Sequence, residues 1–362
     1  MRMPSWIQVE RRSSISPWTV FAISLSAIVL ALLLAGLFFQ LFGVSPIRAY
    51  GDIIRGALGS KLGITETIRR MIPLLVIGVG LTVAFRALFW NIGAEGQLLV
   101  GTVAAAGVAL FSGIPEVLMI PAMFIAGFAA GALWGIGPAY LKVKLGINDV
   151  ITTLLLNYVA IALVEWLVYG PWKGPTQRGF AYTDRFSAAA SLPVIAGTRI
   201  HWPTLAIGVF AAIVLFVLVK RTRVGFEIRV VGENPDAAKY SGISQTKITL
   251  FAMMISGGLA GVAGVGEVAG IHHMLLSPEQ ISLGYGYTAI IVAWLARRNP
   301  LAAILTSFLF GVIMRGGDVI KVSLGLPFEL VDVFNGIILF MLIGSELFIR
   351  YRVRFGARRE VA

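Results

Sequence analysis

Apolar runs recur along this chain, separated by short polar joints. A helix needs about 20 apolar residues to cross the hydrocarbon of a bilayer. Ten segments meet or approach that length: 18–42, 71–87, 95–112, 117–141, 149–169, 202–219, 248–271, 281–296, 300–319 and 330–349. Those at 71–87, 95–112 and 281–296 are short or interrupted by glycine, which suits re-entrant or broken helices and sets eight full crossings as the lower count. The pattern predicts an all-α polytopic membrane protein of about ten transmembrane or re-entrant helices. Residues 1–17 precede a transmembrane domain over 18–349, and a basic tail follows over 350–362. The first run, Trp18 to Phe42, follows Arg2, Arg11 and Arg12 with no small-residue cleavage site behind it. A signal peptide's apolar stretch is about 7–15 residues, so this run is expected to be a retained span.

Composition agrees with the pattern. Hydrophobic residues make up 57% of the 362 positions and charged residues only 13%, against about 25% charged in a soluble domain. Glycine, with 41 residues, is abundant, as where transmembrane helices pack closely. The net charge of +12 sits in the joints between apolar runs, which marks a membrane border and not a nucleic-acid surface. With the N-terminus inside, the inner joints and ends hold nineteen Lys/Arg and the outer ones eleven. That bias orients the chain with both termini inside. The tail, with Arg350, Arg352, Arg354, Arg358 and Arg359, is the strongest anchor. Cysteine is absent, which excludes disulfides, thiolate catalysis and Cys-based metal sites, and three histidines leave little scope for a metal cluster.

Two loops exceed a turn. Residues 170–201 lie outside on this orientation and mix Trp172, Phe180, Tyr182 and Phe186 with Pro and Gly, as either a folded docking surface or a linker does. Residues 220–247 lie inside. There Gly232-Glu233-Asn234-Pro235 supplies an Asn cap with Pro at the first helical position. Asp236-Ala237-Ala238-Lys239-Tyr240 is a short helical stretch, and Ser241-Gly242 ends it. A polar helix of two turns buries nothing by itself; it rests on a soluble partner or on the membrane surface.

Polar residues within apolar runs are the candidates for chemistry. Glu95 and Gln97 open an apolar helix just after Asn91, with Gly93 and Gly96 beside the carboxylate. An ionised Glu at membrane depth costs several kcal/mol unless paired or hydrated, and so marks function; the competing reading is a helix cap near the interface. Asn157 lies one turn from Thr153 on one face of the fifth span, Asn335 sits early in the last span, and Tyr285 and Tyr287 enter another Gly-interrupted run. Such residues either line a pathway for a polar solute with a ring to stack on, or glue helices together by hydrogen bonds. The Gly-rich stretch 257–266 repeats glycine at three and four residues, without a preceding strand or a terminal Lys-Ser/Thr. It reads as close helix packing and not as a phosphate loop. His272 and His273 read as interfacial. No Ser/His/Asp set, HExxH or Walker A pattern is present, which excludes an intramembrane protease and P-loop binding of ATP. A weak internal repeat joins 71–112 to 250–296: apolar helix, polar Gly-containing break, apolar helix.

Three motifs together carry a resemblance. Asn91-Ile92-Gly93-Ala94-Glu95-Gly96-Gln97, Gly146-Ile147-Asn148-Asp149-Val150-Ile151-Thr152-Thr153 with Leu156-Asn157-Tyr158, and Gly232-Glu233-Asn234-Pro235-Asp236-Ala237-Ala238 with Tyr240-Ser241-Gly242-Ile243 resemble ABC importer permeases of the ribose/branched-chain amino-acid type. Within that type they look closest to the nucleoside permeases that work with a basic-membrane-protein type lipoprotein. The resemblance runs from about residue 65 to 350. It implies a multi-pass permease of the bacterial cytoplasmic (inner) membrane with no catalytic residues, metal or cofactor of its own. ATP and Mg would be held by separate ABC ATPase subunits, docked on Gly232, Glu233, Asn234, Pro235, Ala237, Ala238, Tyr240 and Gly242. A second, shorter permease would complete the pore, and an external substrate-binding lipoprotein or periplasmic protein would deliver a nucleoside. Asn91, Glu95, Gln97, Thr153, Asn157, Tyr285, Tyr287 and Asn335 would line the pathway. A simple sugar or a riboflavin-like molecule is the alternative solute, and an ion-coupled secondary transporter using Glu95 is the alternative of another class.

Overall fold

The structure is a computed structural model and describes residues 7–11, 16–177, 179–325 and 351–355, with isolated positions between 333 and 349. The expected span at 330–349, and Asn335 with it, fall mostly outside the described residues. Two units divide the chain: Ala57–Arg315, and Met1–Gly56 with Gly316–Ala362.

In the terminal unit, α1 (Pro17–Leu41) and the first part of α2 (Pro46–Leu58) meet at a sharp bend. Leu25–Leu41 and Pro46–Leu58 stand at 110°, a broken span or re-entrant turn. The joint after the first run is therefore largely helical. Strands β1 (Ile7–Arg11) and β2 (Tyr351–Phe355) pair antiparallel, Ile7 opposite Phe355. The pairing brings the two terminal segments side by side. It adds a small ladder to an otherwise helical protein.

The larger unit holds α3 (Lys61–Arg86), α4 (Ala94–Phe111), α5 (Glu116–Leu145), α6 (Asp149–Tyr169), α7 (Trp202–Arg221), α8 (Arg223–Glu233), α9 (Pro235–Tyr240), α10 (Gln245–Glu267), α11 (Pro278–Ser282), α12 (Tyr285–Leu295) and most of α13 (Ala302–Leu324). Seven helices are long and apolar enough to cross a membrane among the described residues, or eight if the bent pair counts as one span.

Burial explains where hydropathy misplaces boundaries. α3 begins ten residues before the apolar run at 71–87, at Ser60, whose side chain accepts from Gly63 N–H. Its first turns carry Glu66, Arg69 and Arg70, which read as a loop in sequence. All three are buried, and Glu66 pairs with Arg69 at 2.8 Å. A charged segment can enter the helix because protein, not lipid, surrounds it. α3 and α10 form the inner layer, mostly buried along their length, whereas α5, α6 and α7 turn most of their surface outward. The run at 281–296 breaks at Leu283 and Gly284, both with positive φ, into α11 and an α12 of 11 residues. At about 1.5 Å per residue α12 is too short to cross a bilayer.

The glycines of 257–266 do pack helices. A Cβ on Gly261 would lie 2.0 Å from the Gly127 carbonyl oxygen, and one on Gly257 2.3 Å from that of Gly131. α5 and α10 thus touch backbone to backbone. After Glu267 the helix loosens into a π turn, Val268–His272. The loop at 170–201 is folded against that turn. Leu192 N–H donates to Ala269 O at 2.9 Å, Phe186 N–H to His273 O at 2.8 Å, and Thr183 N–H to Leu275 O at 3.1 Å. Each half of the sequence repeat is helix, break, helix, but the breaks differ: residues 87–93 between α3 and α4, the π turn with α11 between α10 and α12.

Candidate functional site

The motif Asn91 to Gln97 folds as a tight turn into α4, and its polar side chains are used up within the protein. Asn91 and Gln97 exchange two amide hydrogen bonds, Nδ2 to Oε1 at 2.8 Å and Nε2 to Oδ1 at 3.0 Å. Asn91 Nδ2 also donates to Ser256 Oγ on α10 at 3.0 Å. Both side chains are buried, so each unmade bond would leave an amide stranded in an apolar interior.

Glu95, at the first turn of α4, points at a different helix. Its carboxylate accepts from the N–H groups of Gly284, Gly286 and Tyr287 and from the side chain of Ser282. The Gly286 bond is 2.7 Å. Three backbone N–H groups at a helix start are what an anion satisfies best, and the Ser282 side chain at the end of α11 adds a fourth donor. Glu95 is a helix cap as well as a buried acid, but the helix it caps is α12, not its own. Gly286 admits the carboxylate because a Cβ there would lie 2.3 Å from Glu95 N.

Asn157, from the middle of α6, ties the two motifs together. Its Oδ1 accepts from Gly96 N–H at 2.9 Å, and its Nδ2 donates to Ile92 O at 2.9 Å and to Tyr287 Oη at 3.2 Å. Thr153, one turn earlier, donates to Asp149 O at 2.6 Å and packs against Gly93. Of the tyrosines, Tyr285 is fully buried and lies 3.5 Å from Arg70, while Tyr287 is 39% exposed. Six of the eight expected pathway residues thus gather around α4, α6 and α12: the Asn91–Gln97 pair, Asn157 bonded to Tyr287, Glu95 on the backbone of α12, and Thr153, whose hydroxyl bonds backbone carbonyls beside Gly93. Tyr285 points away toward α3, and Asn335 lies outside the described residues.

Sequence reading missed two sets of partners. Asp149 Oδ2 accepts from Trp90 N–H at 2.6 Å and from Lys142 Nζ at 2.7 Å, and Lys142 also donates to Leu88 O at 2.6 Å. This holds the turn before α4 onto the α5–α6 corner. The second set is the buried charge at the start of α3 with Glu267, which feels the fields of Arg69, Arg70 and Arg199. Glu267, His201 and Thr204 are fully buried there, with side-chain polar atoms that have no partner among the described residues. The signal available in the sequence was a Glu late in an apolar helix.

The segment expected to face a partner is more structured than a loop. α8 follows α7 after one residue, capped by Thr222 and seated by Gly225, Ile228 and Val231. α9 then starts at Asn234, whose Oδ1 accepts from Asp236 and Ala237 N–H at 3.1 and 3.0 Å. Ala238 is buried beneath it, Gly232 lies against the Arg86 carbonyl, and Gly242 turns the chain at φ 72°. Glu233, Asn234, Pro235 and Tyr240 are exposed, Tyr240 at 92%.

Comparison with known proteins fixes what this architecture belongs to. A family described as branched-chain amino acid transport system / permease component matches residues 63–343. The glucose ABC transporter permease protein TsgB13 of Haloferax volcanii is 35% identical over 96% of this chain and 93% of its own. The nucleoside ABC transporter permease protein NupB of Lactococcus lactis is 33% identical over 88% of this chain and 90% of its own. The guanosine ABC transporter permease protein NupP of Bacillus subtilis is 30% identical over 92% and 94%. With its buried polar motifs set among apolar helices, the chain belongs to the branched-chain amino acid type of transport permeases: it is a multi-pass membrane subunit of an ABC importer, and ATP hydrolysis resides on a separate subunit.

Proposed function

We propose that this permease carries nucleosides inward across a bacterial cytoplasmic (inner) membrane, with both chain ends on the cytoplasmic side. The observation that carries this solute is the likeness to two permeases named for nucleoside and guanosine, each over about nine-tenths of the chain. The likeness to a glucose permease at 35% identity favours sugar as the second reading. The experiment is uptake of labelled guanosine by cells or proteoliposomes holding the complete transporter, with unlabelled glucose, uridine and guanosine as competitors. Competition by nucleosides alone supports the reading; competition by glucose alone replaces it. An ion-coupled carrier built on Glu95 gives way to the family assignment.

In this proposal α9 is the contact for the ATPase pair, which holds ATP and Mg; this chain holds no cofactor. A short helix firmly capped at Asn234, anchored by buried Ala238 and offering Tyr240 outward, is suited to receive a push and pass it through α8. A second permease subunit, a shorter homologue, completes the pathway, and an external binding lipoprotein docks on the folded 170–201 loop. Tyr287 is the pathway-facing member of the polar cluster, with Asn157 holding its hydroxyl. Asn91, Glu95, Gln97 and Thr153 set its position through the turn into α4 and through α6, and Tyr285 and Asn335 are proposed as further pathway residues from the sequence alone. Closure of the ATPases rocks these elements between outward and inward openings, each state stabilised by its own contacts.

A further inference from the structure

At the end of the bundle that carries α8 and α9, a cleft of about 200 Å³ is lined by Arg86, Arg229, Gly232, Glu233, Arg297 and Arg298. We propose that this cleft binds the phosphate of an anionic phospholipid. Four arginines and one glutamate line it, and Arg229 and Arg298 stand close enough to Arg86 to repel its charge. Gathering like charges is unfavourable, and an anion among them reverses the sign. Arg86 is fixed in place by donating from Nε to the Arg298 carbonyl at 2.6 Å. Arg297 and Arg298 both hold positive φ, 53° and 58°, in the turn after α12. Non-glycine residues in that region are strained, and they persist where the surrounding structure holds them for a purpose. Guanidiniums match phosphate with paired N–H donors.

The depth and the rim of the cleft select a lipid over a water-soluble anion. Arg86 is the last residue of the membrane helix α3, and α8 follows the membrane helix α7 after one residue. The arginines therefore sit where spans leave the hydrocarbon, at headgroup level. Close to them along the chain are exposed apolar side chains: Leu88 at 44%, two residues after Arg86, and Phe226 at 54% on α8. Phe226 precedes Arg229 by three residues on α8 and so shares its face. An amphiphile satisfies both: phosphate among the guanidiniums, acyl chain along Phe226 and Leu88. A dissolved phosphate or a partner's carboxylate leaves the apolar rim without a role. The inference needs the membrane setting and an ATPase contact confined to α9, which leaves Gly232 and Glu233 to the cleft, and it is independent of the solute.

Native mass spectrometry of the purified full chain tests it, with phosphatidylglycerol or phosphatidylcholine titrated in. The expected result is one tightly retained phosphatidylglycerol and no equivalent phosphatidylcholine. R229Q with R298Q weakens that binding about 30-fold, since each basic side chain near an anionic headgroup contributes a factor of about five. R229Q alone, an exposed change that leaves the fold intact, weakens it about five-fold. Lipid-free unfolding midpoints equal to that of the unaltered chain show that the variants fold. Equal retention of both lipids, or unaltered affinity in R229Q, overturns the proposal. So does displacement of the lipid by inorganic phosphate, which would make this a soluble-anion site. Displacement on adding the ATPase subunits overturns it too, by making the cleft a protein contact.

Discussion

Glu95 Oε2 accepts a 2.7 Å hydrogen bond from Gly286 N–H, across 191 residues of sequence. One side chain at the first turn of α4 thereby supplies the missing anion at the first turn of α12. Its environment is dry, so the bonds are strong and their loss is costly. The pair also explains why the second half of the chain can afford a helix of 11 residues at membrane depth: its orphan donors are met by protein.

E95Q keeps the shape but replaces an acceptor-only group with one that also carries donors, turned toward other donors. The expected cost is about 2 kcal/mol of stability, read as a lower thermal unfolding midpoint in detergent. G286A places a methyl against the Glu95 backbone and is expected to cost about 1–3 kcal/mol as overpacking. Because each change breaks the same joint, the double variant should lose clearly less than the sum. Full additivity would show that the two helices are not joined through this contact.

The reciprocal amide pair Asn91–Gln97 gives a second expectation. N91A strands Gln97 and Ser256 together, while Q97A strands Asn91 alone, so N91A is the more damaging by about 1 kcal/mol. A double-mutant cycle in unfolding should show coupling of about 0.5–3 kcal/mol. A coupling of zero would mean that the pair is not formed in the bilayer.

These relationships show which features a sequence exposes. The apolar runs, the Asn234 cap and the packing role of the 257–266 glycines were legible because each depends on neighbours in the chain or on periodicity. The residues of the polar cluster could be picked out one by one, since a polar group in an apolar run stands out. Their arrangement could not, because Glu95 meets Gly286 and Asn157 meets Tyr287 across chain distances that no local pattern encodes. The start of α3 was hidden for the opposite reason. Glu66, Arg69 and Arg70 look like a watery joint, yet all three are buried, with Glu267 of α10 and Arg199 of the 170–201 loop among their charge partners. Asp149 and Lys142 carry no local signal of a partner, and only their 2.7 Å pairing shows them pinning the turn before α4.

α9 yields a prediction that separates folding from coupling. Y240A removes a side chain that is 92% exposed and should leave the unfolding midpoint unchanged, while solute-stimulated ATP hydrolysis by the assembled transporter falls several-fold. N234A loses a cap worth about 1 kcal/mol and should weaken both. A238E forces a charge into a buried position and should abolish stimulation. If Y240A transported and hydrolysed normally, the contact for the ATPase would lie elsewhere than α9.

The crossing of α5 and α10 tolerates no side chain. G261A would bring a methyl to 2.0 Å from the Gly127 carbonyl, so the helices must part along their length. Loss of that packing is expected to cost about 1–3 kcal/mol or more, with reduced yield of folded protein by size exclusion. G113A is the matched control, because nothing lies within 4 Å of a Cβ there. Comparable losses in both would assign the effect to glycine content in general and not to this crossing.

Tyr287 is the one residue of the polar cluster with a substantial exposed surface, and it can be altered in two ways with different consequences. Y287F removes the hydroxyl that accepts from Asn157 Nδ2 at 3.2 Å but keeps the ring. If the ring is the surface on which a solute stacks, Y287F should retain most of the uptake and lose about 1 kcal/mol of stability through the freed amide. Y287A removes the stacking surface, with an expected effect of about 1 kcal/mol on solute affinity. It should therefore raise the solute concentration for half-maximal uptake about five-fold, while basal ATP hydrolysis in the complex persists. A loss in Y287A with nucleosides but not with a sugar that has no aromatic ring would separate a stacking role from a merely structural one, since only the nucleoside loses a ring partner. An equal loss for both solutes would remove Tyr287 from the pathway and leave it as part of the scaffold around Asn157.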